Sequence, residues 1–239
     1  FIQLASVTGV YGLSLIILLL QSLLVLSLKS KKRSFFFTAL TIVILIHLSG
    51  YLSIKSITPT QDSFTASVIQ GNIPSDIYWP NISKDEIESL FERHLDLSLK
   101  AYSQGTQLII WPEFTVPLCF SCSFGIYQEF KERLFQFVKK TGCTLLLGTT
   151  EKVETPDEIR YYNTAICLSP DLKISQYNKM HLVPFGEYTP YKKIFSFIRR
   201  ISHAIGEITP GTEYVLHKYQ GIKFGSPICY EIIFPDLVR

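Results

Sequence analysis

Two long apolar runs, separated by a basic segment, open the chain. Residues 10–28 carry no charge, and about nineteen residues are enough for a helix to cross the roughly 30 Å hydrocarbon core of a bilayer. Residues 35–54 form a weaker run, interrupted by His47, Ser49 and Gly50. A signal peptide carries its basic residues before the apolar run and is not followed by a second run. We therefore expect two transmembrane helices rather than a signal peptide or two buried core helices.

The basic loop 29–33, with the sequence Lys-Ser-Lys-Lys-Arg, predicts the orientation of these helices. Loops rich in Lys and Arg stay on the cytoplasmic side of a membrane. We therefore expect two domains. Residues 1–56 form two transmembrane helices with a cytoplasmic loop. Residues 57–239 lie on the outer side, which in a bacterium is the periplasm next to the inner membrane.

After a polar linker, short apolar runs alternate with amphipathic stretches. Ser83, followed three residues later by Glu86, is a capping box that begins a helix. Strands alternating with helices of this length are typical of an α/β fold. We expect the third strand to stop at Gly148, and we expect the last four strands to form two hairpins. The predicted strands are 65–70, 107–111, 143–147, 161–168, 173–177, 212–219 and 222–228, and the predicted helices start at Ser83 and span 126–140.

Composition narrows the function classes. The chain is 47% hydrophobic and only 18% charged, which is too apolar for an ordinary soluble domain. The net charge of +3 and the lack of a basic stripe argue against nucleic acid as a partner. Cys119 and Cys122 have a C-x-x-C spacing that suits a small disulfide, a redox pair or a metal site. Since no second C-x-x-C or histidine pair accompanies them, we expect loop cysteines, bridged or not, with no metal and no cofactor.

Three residues with acyl-transfer chemistry each follow a short apolar strand: Glu113, Lys179 and Cys229. Cys229 supplies a sulfur nucleophile, and Glu113 can act as its base. Lys179 can favour the thiolate and bind an oxyanion, together with the backbone N–H of Tyr230. Taken singly, each has an ordinary alternative: a strand-end carboxylate, a solvated loop charge and a small buried hydrophobe. Supporting carboxylates are expected from Glu187, which can hold the ammonium, and from Glu231.

Three motifs carry a resemblance to a known family. They are Trp-Pro-Glu at 111–113, Asn-Lys at 178–179 with Leu-Val-Pro-Phe-Gly-Glu-Tyr at 182–188, and Cys-Tyr-Glu at 229–231. Together they resemble the nitrilase superfamily of carbon–nitrogen hydrolases. The Val-Pro-Phe-Gly-Glu run and the two apolar runs resemble its membrane branch, the apolipoprotein N-acyltransferases.

That resemblance implies an αββα sandwich and a catalytic triad of Glu113, Lys179 and Cys229. It implies that a phospholipid gives its acyl chain to the cysteine as a thioester. The N-terminal amine of a diacylglyceryl-cysteine apolipoprotein then takes the chain. It also implies further strands after residue 239 and membrane helices before residue 1, so we expect a truncated chain with an incomplete sandwich. The alternatives are a membrane-anchored amidase acting on a small amide, and an inactive fragment.

One stretch indicates a lipid substrate independently of the family resemblance. Ile194 and Ile198 share a helical face, with Arg199 and Arg200 available for phosphate head groups. A basic amphipathic helix of this kind is typical of a membrane surface. A helix packed on the sandwich with a basic outer edge fits equally well. We also expect Tyr188 to face lipid.

Overall fold

The computed structural model describes residues 2–57, 63–73, 82–115, 119–122, 125–156, 158–190 and 208–238. The chain divides into two compact units, with the boundary between Ser63 and Phe64.

The first unit is a helical hairpin. Helix α1 spans Ala5–Ser30, with a non-helical backbone at Gly9, and helix α2 spans Arg33–Lys55. Lys31, between them, has a left-handed φ of 55°, which ends α1 and turns the chain. Both helices are long and apolar enough to cross a membrane, and most of their large apolar side chains are exposed.

The second unit is built on a five-stranded sheet whose order follows the sequence. Strands β1 to β3 are parallel, and β3 to β5 are antiparallel. A separate antiparallel hairpin, β6–β7, follows later in the chain. The strands are β1 Ala66–Val68, β2 Leu108–Ile110, β3 Thr144–Glu154, β4 Ile159–Leu168, β5 Ile174–Asn178, β6 His217–Tyr219 and β7 Ile222–Phe224.

Two helices, α3 (Lys84–Ser103) and α4 (Gly125–Thr141), share one hydrophobic core with the sheet. The capping box predicted for α3 is present, because Ser83 and Glu86 exchange both bonds. Phe91 of α3 stacks on Phe130 of α4 with ring centres 4.2 Å apart. These helices and the mixed sheet form an α/β layer of the kind expected, and the other face of the sheet carries a smaller cluster around Ala165, Tyr177 and Ile228.

Two expectations about the strands were wrong. Strand β3 does not stop at Gly148 but continues to Glu154, fully paired with β4. The last strand ends at Phe224 instead of Ile228, and its Ile222 is exposed. Pro227 has no N–H to contribute to a ladder, so the chain leaves the hairpin before it. Both predicted hairpins are present, the second with shorter strands.

The chain after β7 ends in two short turns. A 3-10 turn spans Cys229–Ile233, and a four-residue helix, α5, spans Pro235–Val238. Ile228, just before the turn, is buried against the sheet in the smaller cluster. The turn that starts at Cys229 is thereby anchored to the sheet face opposite α3 and α4.

Candidate active site

Glu113 lies just past the carboxyl end of β2, on the face of the sheet opposite the helices. Its backbone crosses directly over Gly148 of β3. A Cβ at Gly148 would lie 2.6 Å from the Glu113 Cα and 2.6 Å from the Pro112 carbonyl oxygen. Gly148 is therefore a site of close backbone approach rather than a strand end, because only glycine leaves room for the Glu113 segment.

Lys179 directly follows β5 and is almost fully buried, at 1% exposure. Its Nζ lies 3.0 Å from both Glu187 carboxylate oxygens and 3.5 Å from Glu113 Oε1. Burial opposes its charge. The Glu187 hydrogen bond and the charges of Glu113, Glu187 and Cys229 nevertheless raise the pKa of Lys179 above its usual range. The side chain is therefore a fixed ammonium held between two glutamates.

Asn163, in β4, joins the same two glutamates from the other side. Its Nδ2 donates to Glu113 Oε1 at 2.7 Å and to Glu187 Oε1 at 2.8 Å, and the residue is fully buried. Asn163 is not among the site residues predicted from the sequence. The available signal was an asparagine inside a strand that is otherwise rich in β-formers and buried residues.

Glu187 is held by its own loop as well as by Lys179. Its Oε2 accepts the Val183 N–H at 2.9 Å, and its backbone oxygen accepts the Ile208 N–H at 2.9 Å. These bonds fold residues 183–187 into a tight turn whose carboxylate points at the lysine. The expected contact between Glu187 and the ammonium is therefore present in the geometry.

Cys229 is exposed and unbridged, and it adopts a left-handed backbone with φ of 56°. Such a conformation is uncommon for a residue with a side chain and turns the backbone sharply at the start of the 3-10 segment. Cys229 lines a cavity of about 290 Å³ together with Glu113, Asn163 and Gly148. The structure thus brings the sulfur and the carboxylate to one cavity, and the Lys179 ammonium lies next to that carboxylate, 3.5 Å from Glu113 Oε1.

Glu231 lies between the segments of Lys179 and Cys229, and its partners are mainly backbone groups rather than Glu113 or Lys179. Its fully buried carboxylate accepts the N–H groups of Met180 at 2.8 Å, His181 at 2.9 Å and Ile228 at 2.8 Å. The Tyr177 hydroxyl donates to both of its oxygens at 3.0 Å. Burial and the Glu231 charge raise the pKa of Tyr177, which keeps this donor protonated. Glu231 therefore ties the cysteine turn to the loop that follows Lys179.

A second cavity, of about 500 Å³, lies beside the first turn of the cysteine segment. Tyr188 and Tyr230 line it, together with His181, whose ring stacks on Phe234 at 4.1 Å. The Tyr230 N–H belongs to the first turn of the 3-10 segment, where N–H groups lack partners within the turn. Its place next to Cys229 suits the oxyanion role expected for it.

Some sequence-based expectations fall elsewhere. Ile194, Ile198, Arg199 and Arg200 lie outside the described residues.

Cys119 and Cys122 form a disulfide. The loop between them is held by buried Glu151, which accepts the N–H groups of Phe120 at 2.7 Å and Ser121 at 3.0 Å.

A thiol and a carboxylate that line one cavity, with a buried ammonium next to the carboxylate, supply the parts needed for cysteine-based acyl transfer. The family comparison agrees with that chemistry. The chain belongs to the carbon–nitrogen hydrolase family, whose model matches residues 65–239.

Two curated relatives carry the name of one member of this family. An apolipoprotein N-acyltransferase from Geobacter metallireducens is 30% identical over 248 residues, covering 100% of this chain and 46% of that protein. One from Nitrosomonas europaea is 30% identical over 239 residues, covering 97% of this chain and 44% of that protein. The chain therefore spans about half the length of the curated relatives it matches. Among solved structures, a mutant amidase from Nesterenkonia has a TM-score of 0.48 and 17% identity, covering 76% of this chain and 62% of that one.

Proposed function

We propose that this chain carries the acyl-transfer site of an apolipoprotein N-acyltransferase, with Glu113, Lys179 and Cys229 as its catalytic residues. The acyl donor is a phospholipid, and the acceptor is the N-terminal amine of a diacylglyceryl-cysteine lipoprotein. The observation that carries the proposal is Glu113, which lines one cavity with Cys229 and lies 3.5 Å from the buried Lys179 ammonium. The names of the curated relatives support the substrate class.

In the first half-reaction, Glu113 takes the thiol proton as the sulfur attacks the ester carbonyl carbon of the phospholipid. A free cysteine has a pKa near 8.5, so it needs such a base at neutral pH. The Lys179 ammonium and the Tyr230 N–H stabilise the oxyanion. The carbon–oxygen bond then breaks, Glu113 returns the proton to the departing lysophospholipid, and a thioester is left on Cys229.

In the second half-reaction, the neutral amine of the lipoprotein attacks the thioester carbon. Glu113 accepts a proton from the attacking nitrogen, the carbon–sulfur bond breaks, and the proton returns to the sulfur. The products are an amide on the lipoprotein and the free thiol. The same residues serve both halves, as a ping-pong mechanism requires.

The location of the reaction follows from the helical unit. We propose that α1 and α2 span a bacterial inner membrane, with the basic loop 29–33 in the cytoplasm and the site in the periplasm. The proposal includes Tyr188, Ile194, Ile198, Arg199 and Arg200 as contacts to lipid. Replacing Ile194 and Ile198 by Asp should then weaken liposome binding of the second unit prepared without α1 and α2, and unchanged binding would remove this part.

A small-amide hydrolase is the second candidate, because the matched family model is that of carbon–nitrogen hydrolases in general. Mass spectrometry separates the two. The full chain in detergent is incubated with phosphatidylethanolamine, with Cys229→Ser as the matched control. We expect an acyl-sized adduct on Cys229 that a diacylglyceryl-cysteine peptide removes. Turnover of a small amide without an adduct would favour the hydrolase, and neither product would indicate a non-catalytic chain.

A further inference from the structure

The buried amide of Asn163 is shared between two glutamates. Its nitrogen lies 2.7 Å from Glu113 Oε1 and 2.8 Å from Glu187 Oε1. The bond to Glu113 is shorter than the 3.5 Å contact that Lys179 makes with the same oxygen. Asn163 is therefore the tighter of these two partners of the Glu113 carboxylate.

The orientation of this amide follows from its partners. Carboxylate oxygens only accept hydrogen bonds, so the NH₂ group must face Glu113 and Glu187 and must use one proton for each. The amide oxygen then faces away. It is buried and has no hydrogen-bond partner among the residues that the structure describes.

An unpartnered buried oxygen is costly to the fold. It costs roughly 1–3 kcal/mol in lost hydration. The next residue on the same face of β4, Ala165, shows that this strand accepts apolar side chains beside the site. If this position served the stability of the fold alone, an apolar residue would suit it better. The role of Asn163 therefore lies in the hydrogen bonds that its nitrogen donates to the two glutamates.

We propose that Asn163 is a positioning residue that fixes the Glu113 carboxylate beside Cys229. The geometry explains why a neutral double donor is needed. Two carboxylates share one ammonium, and Lys179 lies closer to Glu187, at 3.0 Å, than to Glu113, at 3.5 Å. Asn163 supplies the second hold on Glu113 without adding charge. The inference rests on the proposed function, in that Glu113 is the base for Cys229.

The test compares Asn163→Ala with Asn163→Asp. The readout is the rate at which iodoacetamide alkylates Cys229 at pH 7.5, which requires no phospholipid. Aspartate keeps the shape of asparagine but replaces both donated protons with a third negative charge facing Glu113 and Glu187, near Lys179 and Cys229. We expect Ala to be at least tenfold slower than wild type and Asp to be slower still. A residue that only fills space leaves Asn163→Ala within threefold of the wild-type rate, and that result overturns the proposal.

A double variant tests whether Asn163 acts through Glu113. If it does, Asn163→Ala combined with Glu113→Gln is no slower than Glu113→Gln alone, because the carboxylate to be positioned is already gone. If the double variant is instead slower than Glu113→Gln by the factor that Asn163→Ala causes alone, the proposal is overturned. Asn178→Asp is the matched control for added charge: its Oδ1 accepts from Thr164 Oγ1 at 2.8 Å and from Gln176 at 3.0 Å, which an aspartate still does. We expect it to change the rate less than threefold.

Asn163→Leu guards against a variant that fails to fold. Leucine fills the same space without the unpartnered oxygen but loses both hydrogen bonds to carboxylates. We therefore expect a lower melting temperature with a single cooperative transition, which shows that the variant folds, and alkylation as slow as that of Asn163→Ala. A wild-type rate in Asn163→Leu overturns the proposal. Acyl-adduct formation from phosphatidylethanolamine is measured in parallel. If wild type forms no adduct, the proposed function fails, while the alkylation order still decides the role of Asn163.

Discussion

Replacing Glu231 with Gln tests whether this carboxylate holds the two halves of the site together. Its Oε1 accepts from Met180 and His181, and its Oε2 accepts from Ile228. Glutamine has the same shape but only one accepting oxygen. If that oxygen takes the place of Oε1, the amide nitrogen faces the Ile228 N–H, and two donors then meet where a bond was.

The magnitude follows from these contacts. One hydrogen bond to a charged group is lost in a fully buried position, and such bonds contribute about 1.5–3 kcal/mol. The Tyr177 hydroxyl can rotate to accept from the new amide, so its contact is kept. We expect the free energy of unfolding to fall by about 2 kcal/mol, which lowers the melting temperature of a chain of this size by about 4–8 °C.

Thermal unfolding of the full chain in detergent measures this effect, and alkylation of Cys229 reports on the site. The matched control is Glu154→Gln, because Glu154 is largely exposed and pairs only with Lys152 among the ion pairs of the described residues. Exposed pairs of that kind contribute about 0–1 kcal/mol. The reasoning is refuted if Glu231→Gln melts no lower than Glu154→Gln, or if it melts lower but alkylates Cys229 at the wild-type rate.

Three other predictions follow from single features. Gly148→Ala should displace Glu113, slow acylation of Cys229 and destabilise the fold by about 1–3 kcal/mol. Gly225→Ala is the control: a Cβ there would lie 3.9 Å from Pro227 Cδ, so the melting temperature should not change. Cys119→Ser with Cys122→Ser should lower the free energy of unfolding by about 2 kcal/mol in chemical denaturation, since the closed loop is short; an unchanged midpoint would contradict this. Burial lowers the pKa of His217, so the unfolded chain binds more protons than the folded one as pH falls below about 6.5, and stability should fall with it. His217→Gln should reduce that acid loss in denaturation series at pH 5 and pH 7; an unchanged loss would count against it.

The elements that follow local rules were predictable from the sequence. The capping box at Ser83 and the spacing of apolar residues after it identified α3, because both are set by neighbours within one or two turns. The strand that contains Gly148 was predicted too short. In a sequence, a glycine that ends a strand looks the same as a glycine that makes room for another segment. Only the position of the Glu113 backbone in the structure distinguishes the two.

The site was predictable only in part, for a related physical reason. Charged residues soon after strands of the main sheet marked Glu113 and Lys179, since the carboxyl ends of parallel strands meet at one edge of a sheet. Cys229 was expected at a strand end too, but it follows the separate hairpin by several residues. Asn163 and the true partners of Glu231 depend on contacts between residues 50 or more positions apart, such as Asn163 with Glu113. No local pattern specifies such pairs.

The chain between Glu187 and Ile208 leaves and returns at almost one point. The Ile208 N–H donates to the Glu187 oxygen at 2.9 Å, the Thr209 N–H to the Tyr161 oxygen at 2.7 Å, and the Gly211 N–H to the Lys179 oxygen at 2.8 Å. Because these backbone hydrogen bonds hold the two ends of the stretch together, lengthening or shortening it changes the entropy of loop closure only slightly. A change in the length of the stretch between these two ends should therefore leave the contacts of Glu187 and Lys179 in place.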